Sequence, residues 1–527
     1  MERYMGQDDQ TPEQTFRKSR SVSSGHSPLV TPPTSFRRHR PPLETVMKSS
    51  RRHFIRQMGA GLAAAGSAAS ALGCAPQENA SAPGSRKPFS AISGGSEDLL
   101  QRDPDQIQPA PLGYDRLPIE WHQERARVLK TRVGPRGVEA ILLSNDQNAV
   151  YFTGCFRGSG ERSTWALFRV DEEDTVYWYS PGIDRDLIQS WWCTENEYYF
   201  GYPHAEGGFP NRGQVVQGPR VDLFEWMLEG LKKRGFSGGV VGTDWTLSEA
   251  QVASVRKVIP GTRFVTIQDE CLAMQQVKTP EELRLIQRAY HYFDRVHAFA
   301  RDYILERGTD LTDFELGQAL QAFGIELLMN DIQKDGRPHT AVGIDVTSHY
   351  VRAGIASAYP HPNQYFHQKV QRGQTVYVNT DLTIGGLGGE CYRNYLIGPW
   401  TPEQELMWEV VAETVQIQED ESKAGAVCSD IAAKIHQHQV DSGMAEFIYH
   451  RPAHGQGQFF AGHQPPFIAL GDYSVLQENM TFSIEPGLYD SGRGIGINPS
   501  DNLRVTASRG VRFSGVPFSK KWSFLEL

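Results

Sequence analysis

The chain runs to 527 residues with 39% hydrophobic and 22% charged side chains, ordinary globular usage that excludes a small disulfide-stapled scaffold, a fibrous repeat and wholesale disorder. The formal charge is −9, and residues 1–80 hold 11 Lys and Arg against 6 Asp and Glu, or +5, so the rest of the chain carries −14. An acidic body repels phosphate backbones, which sets nucleic acid aside as a partner.

Residues 1–46 are rich in Ser, Pro, Gln and Arg with little periodic hydrophobicity, and read as a disordered segment or a wrongly chosen start. Residues 47–74 open at Met47 with a basic stretch, carry Arg51-Arg52 ahead of Phe54, and continue as an Ala/Gly-rich run to Leu72, Gly73 and Cys74. This resembles a twin-arginine export signal, and its end resembles a lipoprotein cleavage box that would anchor Cys74 in a membrane. The apolar run from Met58 to Gly73 is too short for a spanning helix. Residues 75–115 read as a linker. The six cysteines, Cys74, Cys155, Cys193, Cys271, Cys391 and Cys428, form no CxxC pair, which argues against a zinc ribbon. Export would admit one or two disulfides, and the spacing does not choose them.

An α/β texture begins near Trp121. Trp121 to Lys130 predicts a helix, and Gly137 to Ser144 a buried strand ending in a turn at Asn145-Asp146. Trp165–Val170 and Thr175–Tyr179 alternate like a hairpin, Leu223–Lys233 is helical, and Gly238–Gly242 is a short buried strand. Thr279, Pro280, Glu281 and Glu282 form a strong helix start, with Thr as cap, Pro at the first position and acids in the first turn. That helix runs to about Leu305 and puts Leu283, Ile286, Tyr290, Phe293 and His297 on one face, His297 as a core histidine. Thr312 and Glu315 start another helix.

Four clusters carry the chemistry. His361 sits in the loop Ala358–Asn363. A strand ending in Asn379 and Asp381 is followed by Gly385, Gly386, Gly388 and Gly389, then Glu390 and Arg393; a glycine bend would return Glu390 and Arg393 beside Asn379 and Asp381. Arg451, Pro452, Ala453, His454 and Gly455 precede His463. Thr481, Phe482, Ser483, Ile484, Glu485, Pro486, Gly487, Leu488 and Tyr489 put a carboxylate inside an apolar strand, where it requires a partner or a cation.

In this order the clusters resemble the pita-bread family, which contains proline-specific aminopeptidases and dipeptidases, methionine aminopeptidase and creatinase. The resemblance spans about residues 120–510, and the Ser483–Tyr489 run is its most specific match. It implies an α/β (α+β) chain: a creatinase-type N-terminal mixed-sheet domain at residues 116–275, then a pita-bread catalytic domain at 279–520. The family's peptidases hold two metal ions with two aspartates, a histidine and two glutamates. By position the histidine falls on His454 and the first glutamate on Glu485. The aspartate pair falls on Asn379 and Glu390, in a register set by Arg393 and Gly398, and the last glutamate falls on Ser500. Two carboxylates are thus missing from a set that needs negative charge to hold divalent ions, which argues against two metals.

Glu390, His454 and Glu485 remain as a face for one divalent ion (Mn, Fe, Zn or Co), with Asp381 or Asp501 as substitutes; the creatinase branch implies none. The resemblance assigns substrate contact or proton transfer to His361 and His463, and places Arg393 in the site. Histidine suits such roles because its ordinary pKa of about 6.5 lies near neutrality. The implied protein is an exported hydrolase related to Xaa-Pro aminopeptidases and dipeptidases, periplasmic or lipid-anchored through Cys74, homodimeric, acting on a short peptide or small molecule. The alternatives are a creatinase-like C–N hydrolase or dimethylsulfoniopropionate-lyase-like enzyme for a small cationic substrate, and a non-catalytic exported binding protein.

Overall fold

The computed structural model describes residues 94–157, 160–199, 221–332, 343–347, 351–361, 367–458 and 463–527. Residues 1–46, the signal-like segment at 47–74 with Cys74, and residues 75–93 of the 75–115 segment lie outside the described residues. No described helix is long and apolar enough to cross a membrane.

The first half is built on a mixed six-stranded sheet ordered β4-β3-β2-β1-β5-β6, from β1 (Ala140–Leu143), β2 (Trp165–Arg169), β3 (Tyr177–Pro181), β4 (Glu195–Tyr199), β5 (Gly238–Thr243) and β6 (Gly261–Thr266). All four residues of β1 are buried, as an apolar run covered on both faces must be. It pairs antiparallel with β2 and parallel with β5. Helices α1 (Ile119–Val133), α2 (Asp146–Thr153), α3 (Arg185–Gln189), α4 (Leu223–Lys233), α5 (Glu249–Val258) and α6 (Gln268–Gln276) accompany the sheet. Where the sequence suggests a turn, Asn145 caps α2, its side chain accepting from the Asn148 amide. The helix ends at Gly154, whose φ of 71° is the left-handed conformation glycine adopts freely.

The second half begins with α7 (Pro280–Arg307), opened by a capping box in which Thr279 and Glu282 satisfy each other's backbone amides. Leu283, Ile286, Tyr290, Phe293 and His297 are all buried along it, and the His297 Nε2 meets the Cys391 carbonyl at 2.9 Å. Next come α8 (Asp313–Ile332), β7 (Asp345–Thr347) and β8 (Arg352–Ala353). The long hairpin of β9 (Thr375–Ile384) and β10 (Leu387–Ile397) follows. Gly385 and Gly386, at φ 57° and 75°, make its bend. Beyond it lie α9 (Pro402–Glu421), α10 (Cys428–Asp441), β11 (Ala453–Gly455), β12 (Gln464–Ile468), β13 (Thr481–Ser483), β14 (Leu488–Asp490), β15 (Ile495–Ile497), β16 (Asn502–Val505), β17 (Gly510–Arg512), α11 (Lys520–Ser523) and β18 (Phe524–Leu525). Two five-stranded sheets result: β18-β10-β9-β7 with β8 on β9, and β12-β11-β13-β16-β17. They are stitched together by Tyr392 and Ser500, which exchange backbone hydrogen bonds of 2.9 and 3.1 Å.

Residues 94–115, the end of the segment that composition reads as a linker, are tied to the second half. Gln101 donates to the Gly515 carbonyl at 2.7 Å, Ala110 to that of Arg284 at 2.9 Å, and the Gln106 side chain spans the carbonyls of Arg512, Phe513 and Ser514. The five described cysteines are all unpaired.

Candidate active site

Strand alternation sorts the chemistry of the hairpin. Asp381 faces Glu390 and Asn379 faces Tyr392 across the antiparallel pair, so Tyr377, Asn379, Asp381, Glu390 and Tyr392 share one face and Val378, Cys391 and Arg393 the other. The first face lines a cavity of about 960 Å³ together with His454 from β11, Glu485 just after β13, Tyr489 from β14, and His361, Arg451 and His463.

At its floor, His454 Nε2 lies 2.9 Å from Glu485 Oε2 and 3.4 Å from Glu390 Oε1, out of line for a hydrogen bond to either. Nδ1 donates to the Gly455 carbonyl at 3.1 Å. Burial works against charge on this ring, but the two carboxylates outweigh it and raise its pKa to about 10. Burial pushes Glu485 upward, and the His454 cation more than reverses this, holding Glu485 at about 2. Glu390 is raised by burial and by the Glu485 charge. Its Oε1 accepts from Ser500 Oγ at 3.0 Å, and its Oε2 from the Tyr392 hydroxyl in a short contact. Asp381 stands one layer behind, 3.2 Å from Thr347 Oγ1 and 3.4 Å from the Tyr392 hydroxyl. Burial and then Glu390 raise it to about 8.

His463 packs over His454 with ring centroids 4.0 Å apart. Burial and the His454 charge lower it to about 4, so it is neutral at pH 7. Arg451 donates to its Nδ1 at 3.1 Å, which leaves the proton of the neutral ring on Nε2. His361 lines the same cavity.

Of the residues picked out from sequence, His361, Asn379, Glu390, His454, His463 and Glu485 thus meet at one cavity, with Asp381 behind them. Arg393 is not among its lining residues. On the opposite face of β10 and 1% exposed, its guanidinium pairs with Asp501 Oδ2 at 2.8 Å and donates to the carbonyls of Tyr392, Ser500 and Val516. It fixes the Ser500–Asp501 backbone against the hairpin. The sequence reading missed the tyrosines: Tyr377, Tyr392, Tyr449 and Tyr489 also line the cavity, as do Arg352 and Asn498. The available signal was the i, i+2 spacing of Tyr377 with Asn379 and of Glu390 with Tyr392.

The donor set does not fit two metal ions. Two of the five positions carry an amide and a hydroxyl, and Ser500 spends its hydroxyl on Glu390. For a single ion, His454, His463 and Glu485 bring one donor atom each within 4.8 Å of one another. The two rings, however, lie nearly face to face at an interplanar angle of 30°, and in-plane lone pairs of such rings do not converge on one point. Arg451 adds a positive charge beside them.

A mixed-sheet first domain ahead of a pita-bread domain, with a buried pair of His454 on β11 and Glu485 just after β13, defines a chain of the creatinase and aminopeptidase class. Residues 284–507 match the model of metallopeptidase family M24. A Xaa-Pro dipeptidase of Lactobacillus delbrueckii subsp. lactis is 32% identical over 361 residues, covering 68% of this chain and 87% of that protein. A Xaa-Pro dipeptidase of Pyrococcus horikoshii is 22% identical over 391 residues, covering 74% and 97%. Among solved structures, dipeptidase PepE from Mycobacterium ulcerans superposes with a TM-score of 0.61 at 19% identity, covering 78% of this chain and all of that one. The chain belongs to metallopeptidase family M24 and is a hydrolase of the peptidase type.

Proposed function

We propose that this chain is an exported hydrolase that cleaves a C–N bond in a short Xaa-Pro-type peptide or a compound of that size, gripping its substrate by a cationic nitrogen. The observation that carries this reading is the make-up of the cavity floor. Glu485 and Glu390 are joined there by the buried amide oxygens of Asn379 and Asn498, neither of which has a hydrogen-bond partner. Tyr377, Tyr392, Tyr449 and Tyr489 add aromatic walls. With the His454 cation and the Arg352 and Arg451 guanidiniums on the same wall, the acceptors and ring faces suit the cationic end of a small zwitterion, such as the free α-ammonium of a dipeptide whose carboxylate meets the guanidiniums. The relatives named Xaa-Pro dipeptidases support the peptide form.

The chemistry follows from the remaining side chains. Water adds to the substrate carbonyl carbon and the C–N bond breaks, with the departing nitrogen taking a proton. His361 is the base for the water, and the Nε2–H of His463 donates to the developing oxyanion.

A panel of Xaa-Pro dipeptides assayed by product release tests the reading. Glu485→Gln should raise KM at least tenfold, and an unchanged KM would overturn the assigned grip. The loss of two anionic ligand positions, Asn379 and Ser500, favours a second reading as a creatinase-like hydrolase; guanidino compounds would then be cleaved and dipeptides not. Binding of both without turnover would mean a binding protein. The family likeness supports a homodimer, which sedimentation would test. Export rests on residues 47–74, and Arg51→Lys with Arg52→Lys should keep the protein in the cytoplasm.

A further inference from the structure

We infer that Tyr392 and Ser500 hold Glu390 by hydroxyl hydrogen bonds beside the two ligand positions that have lost their carboxylates, so that the chain binds at most one divalent ion. The inference concerns what fills the site and stands whichever substrate is cleaved.

Three positions carry it, and they lie in one row across β9, β10 and the segment just before β16. Asn379 is opposite Tyr392 in the β9/β10 register, and Tyr392 is opposite Ser500 through two backbone hydrogen bonds. Two of the three are the positions that lost carboxylates. Tyr392 and Ser500 both hydrogen-bond the Glu390 carboxylate, one to each oxygen. Glu390 is only 9% exposed, so its oxygens need partners, and hydroxyl donors supply them where ions otherwise would.

Charge balance leads to the same limit. Two divalent ions bring +4 into a buried site whose lining carboxylates are Glu390 and Glu485, which supply −2. Asp381, engaged with Thr347 and Tyr392 behind Glu390, does not close that gap. One ion balances the two carboxylates once His454 gives up its proton, and a second leaves an uncompensated buried charge of +2, to which the Arg352 and Arg451 guanidiniums on the same wall add. Tyr392 and Ser500 are therefore positioning residues.

The test is metal stoichiometry, which needs no substrate. The full chain is incubated with excess Mn²⁺ alone, passed through a desalting column and analysed for metal by elemental analysis. One ion per chain or fewer is expected, and close to two would overturn the inference. Asn379→Asp combined with Ser500→Glu should raise the count by about one; a folded double variant that gains none would also overturn it. Should the double variant fail to fold, Asn379→Asp alone should lower the Kd for Mn²⁺ at least tenfold by calorimetry, and an unchanged Kd counts against the inference.

Discussion

Asp501→Asn weakens the interaction that fixes the back of the site, the Arg393 pair, together with the longer 3.8 Å contact of Asp501 to Arg512. Arg393 and Asp501 are 1% and 0% exposed, and the guanidinium is otherwise surrounded by three carbonyls, the Ser514 hydroxyl and the face of Phe518 at 3.9 Å. Its Nε has no partner. Asparagine keeps the shape but strips the charge, leaving a buried cation with only neutral acceptors. Breaking a buried pair in this way costs about 3–5 kcal/mol. In a domain of the catalytic half's size, each kcal/mol moves Tm by roughly 2–4 °C, so Asp501→Asn should melt roughly 6–20 °C lower. Differential scanning calorimetry reads this directly. The exposed pair of Arg127 with Glu124, at 2.7 Å, is the control, and Glu124→Gln should shift stability by no more than about 1 kcal/mol. Adding Arg393→Met to Asp501→Asn removes the stranded charge and should recover part of the loss. A fall in Tm of under about 2 °C for Asp501→Asn would refute the argument that the pair holds the hairpin.

Asp294 gives a pH signature away from the cavity. Burial raises its pKa from 3.8 to about 6, so the folded state keeps its proton after the unfolded state has lost it. The contribution is full below pH 3.8 and is lost as pH rises through about 6, costing about 3 kcal/mol. Asp294→Asn should therefore gain stability relative to wild type by about that amount between pH 4 and 8 in urea titrations, and parallel curves would count against it. Gly154→Ala would force φ 71° on a residue whose Cβ falls 2.5 Å from His122 Nε2, and should cost at least about 1–2 kcal/mol in the same assay. Thr279→Ala removes the cap of α7 and should cost about 1 kcal/mol, with a neutral result arguing that Pro280 alone fixes that end.

Much of this was readable in the chain because local rules and tertiary need agreed. Thr279, Pro280 and Glu282 fixed the start of α7, and alternating residues after Thr375 fixed a hairpin that brings Glu390 opposite Asp381. The α2 helix was harder, because Asn145 serves equally as turn residue and helix cap, and only its bond to the Asn148 amide decides. The docked run 94–115 was invisible for another reason: its order comes from partners more than 170 residues away, such as Gly515 and Arg284, and no local pattern records such contacts. Arg393 lies beside the site in sequence and behind it in space, because odd and even residues of β10 point to opposite faces.

The same geometry explains why the altered ligand set is difficult to judge from spacing. Asn379, Tyr392 and Ser500 are scattered over more than a hundred residues, yet β9, β10 and the segment leading into β16 align them side by side. Taken singly, Asn379 is a lost charge, Ser500 a second lost charge and Tyr392 a bulky residue on a strand. Taken as a row, they form one unit whose members compensate each other: the amide removes repulsion beside Glu390, and the two hydroxyls supply donors to the carboxylate that stays. Reverting one member alone would leave Glu390 facing either an extra buried charge or a missing donor, each costly in a site this enclosed. The row therefore behaves as a coupled set, and the effects of Asn379→Asp and Ser500→Glu on metal binding should be strongly non-additive.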